Sequence, residues 1–236
     1  MRVLVIPDVH LKPEMFSRAS EIMQKGLADR AVCLMDIADD WGMQGKIELY
    51  AKTYDAAIEF AANYQETLWC YGNHDLSYLF QTLESGYSFA AAWTVCSKLE
   101  ELQHILPDPS QLSYLHRIDN VLFSHAGLTD AFARDYAGAT SRSDLDTVIA
   151  RINGFWRDEM WRGSSPIWCR PQYFKDKMFQ KTKVLQVVGH TPVQMLHRAG
   201  NVISCDVFST ASDGSPVGTQ AYPVVDSETG VVMGVK

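Results

Sequence analysis

The sequence lacks several features that would place it in a familiar class at once. Its five cysteines, at positions 33, 70, 96, 169 and 205, form no C-x-x-C pair. Odd in number and widely spaced, they do not read as a disulfide framework. Cys33, Cys70 and Cys205 lie in apolar runs and read as small buried hydrophobes, so a reduced, cytoplasmic setting is expected. No apolar run approaches the ~18 residues of a membrane span. In the opening segment MRVLVIPDVH the run is too short for a signal peptide, and Pro7-Asp8 breaks it. Basic excess is missing too: 21 Lys and Arg stand against 28 Asp and Glu, a net charge of -7. That balance argues against a protein that coats nucleic acid. There is no internal repeat, low-complexity tract or linker.

What remains is an ordinary globular composition of 236 residues, 47% hydrophobic and 21% charged. It permits a sizeable core in one domain, 1–236. Residues 2–6 (RVLVI) predict a buried strand that Pro7 stops. Helical spacing follows over 13–29, then a second strand over 31–35, a helix over 47–64 and a third strand over 67–71. This alternation predicts strands joined by crossovers and partly parallel. A helix is expected over 89–102, a turn at 107–110, and strands over 112–118 and 121–124. The region 129–183 is mixed, with a helical pattern over 144–161 and an irregular stretch over 163–172. Strands are expected again over 184–188, 193–197, 202–205, 221–225 and 231–235. The first part is therefore α/β and the end β-rich.

Polar clusters sit at the ends of these apolar runs. Asp8 and His10 follow the first strand and, two apart in an extended chain, point to the same side. Asp36 and Asp39 follow the second, Asn73 and His74 the third. His125 follows VLFS and His190 follows VLQVV and Gly189. In open α/β sheets ligands gather at the carboxyl ends of the strands. Gly72, Gly127 and Gly189 stand beside these residues and are expected to permit tight turns. Asp8, His10, Asp36, Asn73, His125 and His190 are too many donors for one tetrahedral ion. They suit two divalent ions sharing one carboxylate, with Asp36 as the bridge. Oxygen and nitrogen donors without thiolate favour manganese, iron or zinc over calcium, and manganese is taken first.

In this order the clusters resemble the calcineurin-like metallophosphoesterases, and especially their phosphoprotein-phosphatase branch. The branch carries D-x-H, G-D-x-x-D-R-G, G-N-H-[DE], a His in an H-A-G or H-G-G context, and G-H-T. Here they read Asp8-Val9-His10, Met35-Asp36-Ile37-Ala38-Asp39-Asp40, Gly72-Asn73-His74-Asp75, Ser124-His125-Ala126-Gly127 and Gly189-His190-Thr191-Pro192. The resemblance implies a sandwich of two mixed β-sheets flanked by helices. It implies a first ion on Asp8, His10 and Asp36, and a second on Asp36, Asn73, His125 and His190. A hydroxide bridging the ions would attack phosphorus. His74 would be the general acid, oriented by Asp39. Adjacent in sequence, Asn73 and His74 point apart and can take these different jobs.

The sequence departs from the branch at two points. Met35 replaces a Gly, and Asp40-Trp41 replace the Arg-Gly that ends the second motif. That Arg normally contacts the substrate phosphate, so another cation must face it. Ser165-Pro166-Ile167-Trp168-Cys169-Arg170 resembles the S-P-L-W-x-R element of bacterial phosphatases, which assigns Arg170 as the phosphate clamp and Arg162 as its reserve. Asp75 reads as a helix cap or a support for the ligands, and Asp206 as a support or a strand-end turn. His104, His116 and His197 are expected at surfaces or helix ends, with an approach of His197 to the site, on a hairpin after His190, as the alternative. Trp156, Arg157, Trp161 and Arg162 read as a packed helix carrying Arg stems, with a base-stacking patch as the alternative.

The expected function is hydrolysis of phosphomonoesters, on a phosphorylated protein or peptide or a small phosphoester, in the manner of a serine/threonine phosphatase. The alternatives are a dinucleoside polyphosphate or other nucleotide phosphohydrolase, then a nuclease, which the acidic balance disfavours, and a non-catalytic metal-stabilised scaffold. Region 129–183 is expected to be an insertion that shapes the substrate pocket.

Overall fold

The first strand, β1 (Arg2–Ile6), shows why the chain builds two stacked sheets. Its side chains alternate: Val3 and Val5 enter one apolar cluster, Leu4 and Ile6 another. A strand buried on both faces has no polar side, as the continuous run RVLVI requires. The computed structural model describes residues 1–140, 142–174 and 177–236, so residues 141, 175 and 176 of the expected insertion lie outside the described residues.

After β1 come α1 (Glu14–Gln24), β2 (Arg30–Cys33), α2 (Ile47–Asn63), β3 (Leu68–Cys70), α3 (Asn73–Phe80), α4 (Ala92–Ile105) and β4 (Leu112–Ser113). Then follow β5 (Leu115–Ile118), β6 (Val121–Ser124), α5 (Asp130–Asp135), α6 (Leu145–Asn153), α7 (Arg157–Met160) and α8 (Pro171–Phe174). The chain ends with β7 (Leu185–Val188), β8 (His197–Ala199), β9 (Val202–Ser204), β10 (Tyr222–Asp226) and β11 (Val232–Val235).

The first sheet has the order β11-β10-β1-β2-β3-β4, and the second β5-β6-β7-β9-β8. In the first, β1 to β4 run parallel and β10 and β11 pair antiparallel. In the second, β6, β7 and β9 run parallel, with β5 and β8 antiparallel at the edges. Between the sheets Val3, Val5, Val32, Leu68 and Cys70 meet Val121, Phe123, Val187 and Ile203. Outside the first sheet, Leu4, Ile6 and Trp69 pack under α1, α2 and α4 through Phe16, Tyr54, Phe60 and Leu99. Outside the second, Leu122 packs under Phe132, Val148 and Ile152 of α5 and α6. The result is the two mixed sheets flanked by helices that the sequence led us to expect.

Several expectations need correction. The helical pattern of 144–161 is two helices, because Gly154 ends α6 and Trp156 is extended (φ -124°, ψ -161°). The turn at 107–110 begins a 3-10 helix over Pro109–Gln111, capped by Asp108. The strand expected over 193–197 is irregular until β8, since Val193 N–H is taken by Asp206 O. Helix α3 had no separate expectation. Most of it is buried, so it shows no polar stripe to read.

Candidate metal centre

Six parallel strands end within three residues of a polar side chain. Asp8 follows β1, Asp36 follows β2, Asn73 follows β3, His125 follows β6, His190 follows β7 and Asp206 follows β9. The chain turns sharply there: His10, Met35, Asp36, Asp39 and His190 all have φ between 43° and 62°. Non-glycine residues seldom adopt this region, and their clustering marks a strained segment held by its surroundings. Met35 at φ 58° explains why a Gly is common at that place in related motifs.

The donors fall into two groups. Asp8, His10 and Asp36 bring ligand atoms within 4.8 Å of one another, and so do Asp36, His125 and His190. Asp36 belongs to both. Asn73 adds Oδ1, 3.0 Å from His125 Nε2. The structure thus brings all six expected ligands together.

Their protonation fits a cation. His125 Nδ1–H donates to Leu34 O at 2.9 Å, leaving Nε2 as a bare lone pair in the neutral ring. That nitrogen faces Asp36 Oδ2 at 3.2 Å, Asn73 Oδ1 at 3.0 Å and His190 Nδ1 at 3.2 Å. Likewise His10 Nδ1–H donates to Asp39 O at 2.8 Å, and its Nε2 faces Asp36 Oδ2 at 3.9 Å. Asp8 Oδ2 accepts His190 N–H at 2.8 Å, while Asp8 Oδ1 and His190 Nε2 are buried without a hydrogen-bond partner. Buried lone pairs aimed at one another repel unless a proton or a metal ion lies between them. The residues therefore fit divalent metal ions.

Charge shifts tell the same story. Burial pushes the Asp8 carboxyl well up, reinforced by Asp206. Burial would lower His125, but the Asp36 and Asp8 charges outweigh it and raise the ring to about 10. His10 and His190 are lowered, first by burial. Asp36 is held low by His125 and His74 against a larger opposing effect of burial.

Two glycines are required for space. A Cβ on Gly72 would lie 2.0 Å from Asp36 Oδ1, and one on Gly189 1.8 Å from Asp8 Oδ1. Neither has a positive φ, so the expected tight-turn role is replaced by one of close approach; Gly127, at φ 114°, does need its freedom.

His74 stands beside the donors. Its Nδ1–H donates to Asp39 Oδ2 at 3.0 Å, its ring packs edge-on to His10 at 5.3 Å, and its N–H donates to Asp36 Oδ1 at 2.9 Å. Burial would lower its pKa, but Asp36 and Asp39 raise it to about 9. A cleft of about 270 Å³ opens over the group, lined among others by Asp40, Trp41, Glu84, Trp168, Arg170 and Asp206. Among the described residues lining it, Arg170 is the one Arg or Lys. It donates to Thr191 Oγ1 at 3.0 Å and His190 O at 3.3 Å. Arg162 is not brought to the cleft: it is exposed, bonds Asp158 O at 2.8 Å and lies over the Tyr136 ring.

Of the remaining residues, His116 departs from expectation, while Asp75 and Asp206 take supporting places. Asp40 accepts from Lys12 Nζ at 3.1 Å and from Thr210 Oγ1 at 2.8 Å. His116 is buried, not superficial, with Nε2 3.0 Å from Trp69 O. Asp75 supports the bridging loop by accepting Ile37 and Ala38 N–H. Asp206 is buried in the cleft wall and bonded by Ser209. Sequence reasoning missed Tyr50 and Tyr78, whose hydroxyls both donate to Asp39 Oδ1. Tyr50 fits the apolar stripe of α2, and Tyr78 lies in α3, which the sequence did not show, so neither hydroxyl role was visible.

Residues 1–211 match the calcineurin-like phosphoesterase family, and the chain belongs to it. Its fold is similar to that of a protein serine/threonine phosphatase from Saccharomyces cerevisiae with similarity to human phosphatase PP5. That match has 12% identity, covers 100% of this chain and 80% of the other, and has a TM-score of 0.55. A hypothetical protein from Pyrococcus horikoshii is also similar, at 13% identity, 100% and 87% coverage and a TM-score of 0.51. No curated protein sequence matches the chain significantly. Among the described residues no helix is long and apolar enough to cross a membrane.

Proposed function

We propose that the chain is a binuclear-metal-dependent phosphomonoesterase acting as a serine/threonine phosphatase-like enzyme. The carrying observation is the pair of three-donor groups that share Asp36. Asp8, His10 and Asp36 would hold one divalent ion, and Asp36, Asn73, His125 and His190 the other, with manganese first and iron or zinc as alternatives. Bound ions would neutralise phosphoryl charge and acidify the attacking water. Arg170, on the cleft wall, binds a phosphoryl oxygen. His74 Nε2 gives its proton to the leaving oxygen as the P–O ester bond breaks. Asp39 holds Nδ1 and so keeps Nε2 turned towards the cleft. Region 129–183 acts as a substrate-shaping insertion, since it supplies Trp168 and Arg170 to the cleft. The free cysteines, four of them buried, suit a cytoplasmic setting.

A nucleotide phosphohydrolase is the second reading. Trp41, 55% exposed, and Trp168 both line the cleft, and an indole face stacks a base.

The test is hydrolysis of an aryl phosphate with and without added Mn²⁺, followed by phosphopeptides and dinucleoside polyphosphates. Turnover that needs the metal and stops with chelator supports the reading. Bound metal with no turnover on any phosphoester would instead indicate a scaffold.

A further inference from the structure

Asp39 is almost completely buried, and its carboxylate is divided between two kinds of partner. Oδ2 receives His74. Oδ1 receives the Tyr50 hydroxyl at 2.8 Å and the Tyr78 hydroxyl at 2.6 Å. Tyr50 comes from α2 and Tyr78 from α3, so the carboxylate is gripped from two helices. Both rings are buried and fixed. Tyr78 stacks on Tyr87 at 4.3 Å, and its oxygen accepts Ser88 N–H at 2.9 Å. Its hydrogen is donated to Asp39 Oδ1. A buried carboxylate satisfied only by His74 could turn about its side-chain torsions, and the imidazole would turn with it.

We propose that Tyr50 and Tyr78 are positioning residues for proton delivery: they clamp Asp39 Oδ1, so that Oδ2 stays on His74 Nδ1 and Nε2 stays aimed at the leaving oxygen. The inference rests on the proposed phosphoesterase reading and extends it to two residues bonded to Asp39 rather than to the proposed ligands. A merely structural role would lower activity on every substrate alike. A positioning role is felt only where the leaving group needs a proton, and general acids contribute about 10²–10⁴-fold.

The experiment compares Tyr50→Phe, Tyr78→Phe and the double variant on phenyl phosphate and 2,4-dinitrophenyl phosphate, with metal content and thermal unfolding as controls. We expect kcat on phenyl phosphate to fall about 10–100-fold, and on the dinitrophenyl ester about threefold, with KM little changed. The ratio of the two rates does not depend on the folded fraction. If the Phe variants do not fold, 4-fluorophenylalanine placed at 50 or 78 fills the space of the hydroxyl and donates no hydrogen. It is expected to lower the same ratio. An equal loss on both esters, or an unchanged ratio in folded, metal-loaded protein, overturns the positioning role. A wild-type protein without metal-dependent turnover on either ester removes the reading beneath it and the inference with it.

Discussion

The backbone carbonyl of Asp39 accepts the Nδ1–H of His10 at 2.8 Å. With its carboxylate the same residue accepts from His74 at 3.0 Å. One residue thus orients the His10 ring through its main chain and the His74 ring through its side chain. Asp39→Asn should separate the two. Asn tolerates the left-handed φ of 62° and keeps the carbonyl. Metal content by elemental analysis should stay near wild type. Turnover of phenyl phosphate should fall about 10²-fold or more. Loss of metal together with activity would mean that the carboxylate, not the carbonyl, holds His10.

Much of this centre was legible in the sequence. RVLVI, VLFS and LQVV are buried on both faces, so the first polar residue after each marks a strand end. Six donors of the right types could be read off in that way, and the structure gathers all six. What could not be read is pairing over distance. Tyr50 fits the apolar stripe of its helix, and nothing nearby says that its hydroxyl meets a carboxylate. Asp40 reads as a missing Arg, yet its partner Thr210 lies 170 residues away. Gly72 and Gly189 look like turn residues, but their need is set by a carboxylate that another strand delivers.

Metal binding should stabilise the fold, because the donor groups converge only in the native state. Asp8 Oδ1, buried without a hydrogen-bond partner, would gain one when an ion binds. At an ion concentration 100 times Kd the gain is about 2.7 kcal/mol, or about 5–10 °C in Tm for a chain of this size. Differential scanning fluorimetry with Mn²⁺, Zn²⁺ and chelator reads this shift. Asp36→Asn, which weakens both groups at once, should abolish it. A Tm that ignores metal would contradict a cluster built for cations.

Activity should fall on the alkaline side. The proton that leaves His74 is present below its pKa and lost as pH rises through it. The Asp36 and Asp39 charges, winning over burial, set that value at about 9 in the metal-free protein. Bound cations weaken the pull of Asp36, so the limb in kcat/KM should lie below it. Metal affinity should rise with pH, because protons compete for His125, whose ring is raised to about 10 without a cation. The profile on phenyl phosphate reads the first effect, and titration of Mn²⁺ at several pH values the second. His74→Asn should remove the alkaline limb while leaving the metal titration in place.

Asp40→Arg would restore the residue common to the related motif, and it should do harm. The Asp40 carboxylate is largely buried between Lys12 Nζ at 3.1 Å, Thr210 Oγ1 at 2.8 Å and Trp41 N at 2.8 Å. Lys12 also reaches His10 O at 3.1 Å, so the pair ties the first donor loop to the second. A guanidinium there meets a like charge and leaves the Thr210 hydroxyl without its acceptor. The loss should be about 2–3 kcal/mol, seen as a lower Tm and no gain on a phosphopeptide. Adding Lys12→Ala should recover part of the stability, since it removes the repulsion, and the double-mutant cycle measures how much. If Asp40→Arg instead raised kcat/KM on the phosphopeptide at unchanged Tm, position 40 would be an open phosphate subsite and the Lys12 pairing incidental.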